Sequence, residues 1–123
     1  MLTQFSIGQV WTYATRDCEP DSRITIVRLD EDADFGTIIH VFVSGVSIPN
    51  TQAPGGVTTF IAHLPYSEEA LEKCVIQLDE ETSELPDYES AYQLWRAAFE
   101  SDEAGVFDDP VSQVIASMAT FAD

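Results

Sequence analysis

An α+β fold is predicted for this chain, with about four N-terminal antiparallel strands followed by three helices packed on one face of the sheet. Three features point to it. Residues 9–64 carry runs rich in β-branched and aromatic side chains, several of them alternating with period two. Residues 67–121 carry apolar side chains at three- and four-residue spacing behind helix-start signals. The two kinds of segment are grouped rather than interleaved, which argues against a parallel βαβ arrangement. A length of 123 residues then suits one domain spanning 1–123 with a single core.

The strands follow in order. Gln9 to Thr15 and Ser22 to Leu29 alternate apolar and polar residues and are joined by Cys18-Glu-Pro-Asp, so they read as an antiparallel pair. Thr37 to Val46 is more uniformly apolar, with Ile39, Val41 and Val43 on one face and Ile38, His40 and Phe42 on the other, as in a central strand covered on both sides. The loop Asp30-Glu-Asp-Ala-Asp-Phe-Gly leads into it. A connection with two prolines and two glycines precedes the fourth strand, Val57 to Leu64, and turn geometry accounts for its Gly55-Gly56 pair.

The helices follow. Ser67 is placed to cap a helix from Glu68 to about Asp79, with acids in its first turn and Leu71, Cys74, Val75 and Leu78 in one stripe. Pro86 suits the first turn of a second helix, whose Tyr88, Tyr92, Trp95 and Phe99 share a face. Asp109-Pro110 opens a third, with Val111, Val114, Ile115, Met118 and Phe121 on one side. The aromatic stripe of the second helix is expected to pack on the sheet, with Trp95 buried near Trp11 and Tyr13.

Charge narrows the function. The chain holds 22 acidic residues against 5 Lys plus Arg, a net charge of -17. Residues 37–66 contain no Asp, Glu, Lys or Arg at all, so that window is expected in buried sheet or at a contact face. Direct nucleic-acid binding through a basic face is excluded, and an anionic membrane surface is disfavoured. No run approaches the roughly 20 apolar residues of a membrane-spanning helix. The N-terminus does not read as a secretory signal, so a cytoplasmic protein with two reduced thiols, Cys18 and Cys74, is expected.

Few motifs carry chemistry. Asp30, Asp32 and Asp34 match the first ligand positions of a calcium loop, but Phe35 and Val41 stand where glycine and glutamate are required, and a solvated acidic hairpin tip is the expected reading. His40 and His63, the two histidines, lie in predicted strands and can approach each other if those strands pair, although their own segment supplies no acid. Nucleophile-elbow, phosphate-loop, dinucleotide and zinc motifs are absent, which favours a non-enzymatic protein without metal or cofactor.

The stretch Phe5-x-x-Gly8-x-Val10-Trp11-x-Tyr13-x-Thr15-Arg16-x-x-Glu19-x-x-Ser22, with Ile39-His40-Val41, Leu64-Pro65-Tyr66-Ser67 and Gly105-Val106-Phe107, resembles a family of small uncharacterised bacterial proteins over nearly the whole chain. The resemblance implies a bacterial, cytoplasmic, single-domain protein and brings no activity or site residues with it. The leading expectation is therefore a non-enzymatic acidic protein that binds a basic protein partner, in the manner of an immunity protein, an inhibitor or a nucleic-acid mimic of bacteria or phage. The alternative is a small-ligand-binding domain or enzyme built on Arg16, Glu19, His40 and His63. A homodimer through the uncharged window is also expected.

Overall fold

The computed structural model describes residues 5–15, 20–34, 36–49 and 54–121. Among these residues it has the α+β architecture, with five antiparallel strands and three α-helices. The strands are β1 (Gln9–Tyr13), β2 (Arg23–Asp32), β3 (Gly36–Pro49), β4 (Val57–Ser67) and β5 (Val75–Glu81), in the spatial order β4-β3-β2-β1-β5. The helices are α1 (Glu68–Cys74), α2 (Glu89–Glu100) and α3 (Val111–Phe121). No helix among the described residues is long and apolar enough to cross a membrane.

The fifth strand corrects the predicted first helix. Ser67 caps α1 as expected, its hydroxyl accepting the N–H of Ala70 at 3.2 Å, and Ala70, Leu71 and Cys74 are buried. The helix nevertheless stops at Cys74, because Val75 adopts an extended conformation and begins β5. Val75 and Ile76 are β-branched, and Asp79, Glu80 and Glu81 would have set negative charge at the negative end of a longer helix. The open edge of β1 takes these residues instead. The second helix begins at Glu89, and Pro86 lies in the loop ahead of it.

The helices divide between the two faces, against the expected packing on one. Ile39, Val41 and Val43 of β3 join Ile24 and Ile26 of β2 in a core covered by Leu71 of α1 and Val111 and Ile115 of α3. Successive side chains of a strand point to opposite faces, so His40 turns away from this core and toward α2. β3 is thus covered on both sides, with Ile38 and His40 fully buried beside Ile39 and Val41. The two tryptophans are separated in the same way. Trp11 pairs with Ile24 and packs on Phe5 at 5.5 Å on the α1 and α3 face, whereas Trp95 lies on the α2 face.

Two residues of the N-terminal motif have structural roles. Ser22 is buried, within 2.6 Å of the Tyr13 hydroxyl and donating to the Ser44 carbonyl. Gly8 has φ of +96°, and a Cβ there would meet the Thr82 carbonyl oxygen at 2.4 Å. Gly8→Ala is expected to cost about 2 kcal/mol through backbone strain and this clash, read as a lowered urea midpoint. A midpoint within error of the parent would show that the contact relaxes freely.

Candidate functional site

The face of the sheet under α2 holds a chain of polar side chains in an aromatic setting. Two irregularities of strand pairing build it. Ile26 pairs with Val41 but Arg28 pairs with His40, so Val27 is an extra residue in β2. In a regular strand Arg28 and Asp30 would follow Ile26 onto the core face. The bulge moves both to the His40 side and places Leu29 in register with Ile39 on the other. On the far side, Val41 pairs with Leu64 and Val43 with Ile61, leaving Ala62 and His63 together opposite Phe42. That second bulge turns His63 toward His40.

The resulting contacts are short. Nδ1 of His40 lies 2.7 Å from Nε2 of His63, and Nε2 of His40 lies 2.9 Å from Oδ2 of Asp30. The Tyr92 hydroxyl donates to the same Asp30 oxygen at 2.9 Å, and Nε of Arg28 donates to the other at 3.1 Å. Arg96 approaches to 4.0 Å, and the Arg28 guanidinium sits 4.4 Å over the Tyr92 ring. The rings of Tyr92 and Trp95 each meet His40 edge-on at 5.0 Å, and Trp95 lies 5.5 Å from His63. The two imidazoles stack at 4.9 Å.

The electrostatics fix the tautomers. Burial tends to raise the Asp30 carboxyl, but the Tyr92 hydrogen bond, the adjoining imidazole and Arg28 outweigh it and hold the pKa below the ordinary carboxylate value. An ionised carboxylate only accepts, so His40 donates from Nε2. Its Nδ1 then accepts from Nε2–H of His63, and Nδ1 of His63 carries the lone pair at the end of the chain. Burial lowers the His40 pKa to about 4, against the pull of Asp30. Arg28 and Arg96 already balance that carboxylate, so a further positive charge gains little. His63 is also lowered to about 4, by burial and by the neighbouring His40. Both rings are neutral at pH 7.

Beside this chain a cleft of about 410 Å³ opens between the sheet and the start of α2. Phe42, Phe60 and Ala62 wall it from the sheet, and Pro86, Asp87 and Ser90 wall it from the other side. Phe42 and Phe60 stack at 5.4 Å. Ala62, which lines the cleft, is the chain neighbour of His63.

Of the four site residues expected from sequence, His40 and His63 meet directly, while Arg16 and Glu19 lie outside the described residues, as does Cys18. Asp30 is a correction. It is a half-buried hydrogen-bond acceptor rather than part of a solvated tip, with its side chain 16% exposed. Asp32 and Asp34 remain at the hairpin, where the Asp34 N–H donates to Asp32 at 2.9 Å. Among the described residues no group of three metal-ligating side chains is placed to hold an ion. Trp95 is a second correction: it is half-buried, donates from Nε1 to the Gly105 carbonyl at 2.9 Å, and covers the histidines rather than Trp11. Asp30, Arg28 and Tyr92 were not expected beside the histidines from sequence, yet a signal exists. The core positions Ile24 and Ile26 give way to Leu29, and Ile61 gives way to Leu64, each a change of parity that a bulge explains.

No protein-family model, curated protein or solved structure matches the chain. The site is therefore read from its own geometry.

Proposed function

We propose that the face under α2 is a small-ligand site in which His63 is the acid–base group and His40 and Asp30 are its relay. One observation carries this reading: the unbroken series from Tyr92 and Asp30 through His40 to His63, with every link between 2.7 and 2.9 Å. A proton taken up at Nδ1 of His63 releases Nε2–H to Nδ1 of His40, and the positive charge comes to rest against the Asp30 carboxylate. Because both rings are neutral at pH 7, the accepting lone pair is present in nearly every molecule. The ligand that suits the neighbouring cleft is small, largely apolar and carries one transferable proton.

Acylation with diethyl pyrocarbonate tests this, since only a neutral, accessible imidazole reacts. His63 is expected to be modified and the fully buried His40 spared, with a rate that stays flat as pH falls from 7 to about 5. Protection of both histidines in the folded protein would show that no ligand can reach the chain, and the reading would fail.

A second reading is favoured by the charge distribution. The four described cations, Arg23, Arg28, Lys73 and Arg96, each approach a carboxylate, and most of the acidic surface is left uncompensated. That surface supports recognition of a basic protein partner, of the immunity or inhibitor type, in a bacterial cytoplasm where the Cys74 thiol stays reduced. Binding to a defined lysine-rich peptide should then weaken steeply with salt. Salt-independent binding, or none, would remove this reading.

A further inference from the structure

The two edges of the sheet are protected very differently. β5 carries Asp79, Glu80 and Glu81 and two shifts of register against β1, the features that keep an exposed edge from pairing. β4 has few of them. Its last residues are covered, because Tyr66 bridges Phe107 and the Phe107 N–H donates to the Pro65 carbonyl. The stretch from Val57 to Leu64 contains no charged residue and no proline, and among the described residues no strand lies on its outer side. Phe60 is 49% exposed and Val57 36%.

We propose that the Val57–Leu64 edge is the docking surface for a second copy of this chain, strand against strand in antiparallel pairing. Charge selects the occupant. Each copy carries -17, so two copies repel wherever their acidic surfaces meet, and residues 37–66 are the stretch without a formal charge. Pairing there covers Phe60 and Val57 and turns the acids outward. A basic partner has no carboxylate to meet on this edge. The docked copy also bears on the site, because Phe60 and Ala62 wall the cleft and His63 lies in the same strand. The inference rests on the edge and not on the histidine relay.

Light scattering and sedimentation of the full chain test it. The expected result is a concentration-dependent mass of twice 13.6 kDa, with dimerisation strengthened by added salt, because screening relieves repulsion between the copies. Thr59→Glu places like charges across the pairing and should weaken the dimer at least about tenfold, with unchanged far-ultraviolet circular dichroism. Ile76→Glu, the same kind of change on the β5 edge, should leave it intact. A single 13.6 kDa species throughout the micromolar range at both low and high salt would overturn the proposal. So would dissociation by Ile76→Glu with none by Thr59→Glu. If Thr59→Glu fails to fold, the mass of the parent chain and its response to Ile76→Glu still decide.

Discussion

Asp30→Ala is expected to lower the unfolding free energy by about 3 kcal/mol, the cost of taking the acceptor from the fully buried His40 N–H in a half-buried charged network. The carboxylate accepts from Arg28, His40 and Tyr92. Arg28 can turn to water, since its side chain is 42% exposed. His40 cannot, because it is fully buried, and its Nε2–H would be left without an acceptor. Urea denaturation of the parent and of Asp30→Ala gives the value directly. Asp30→Asn should fall between the two, since it keeps one acceptor oxygen but loses the charge. A loss in Asp30→Ala below about 1 kcal/mol would mean that the network adds nothing beyond ordinary surface hydrogen bonds.

Acid should destabilise the fold as soon as the pH falls below neutrality. His40 and His63 take up protons near pH 6.5 in the unfolded chain but only near pH 4 in the folded one. Between those values the unfolded state binds more protons, so stability falls as pH is lowered through the window and levels off below it. The groups facing the pair are Asp30 and Arg28 from β2 and Tyr92, Trp95 and Arg96 from α2, and Asp30 alone favours the added charge. The loss is on the order of 3 kcal/mol for each histidine across the window. Asp30 acts in the next window down: its stabilisation is present above the ordinary carboxylate pKa and is lost as pH falls from there through its lowered folded pKa. Melting temperatures between pH 7 and 4.5 provide the measurement, and His63→Phe should reduce the slope by about half. A stability unchanged across that interval would contradict neutral buried histidines.

Trp95 shows how a correct local reading leads to a wrong neighbour. Its three- and four-residue spacing with Tyr92 and Phe99 predicts a helix face turned to the sheet, and α2 has that face. Which side of the sheet receives the helix is set by the long-range chain path. Trp95→Ala therefore removes the cover from His40 and His63 and leaves the main core, where Trp11 packs, intact.

The amino-acid sequence by itself determined the kinds of element and much of their extent. The β-branched alternation of β1 to β4, the Ser67 cap and the apolar spacing of α2 and α3 are local properties that hold wherever the chain goes. The two-sided burial of β3 was likewise legible, because a run apolar on both faces has no stable place at a surface. Only the tertiary structure decided that residues 75–81 form a strand, since the open edge of β1 competes there with helix formation. It also decided that Asp30 is the hydrogen-bond partner of the buried His40. One extra residue at Val27 reverses which face every later side chain of β2 occupies. That reversal is specified by the pairing of β2 with β3, an interaction between segments rather than a property of either one.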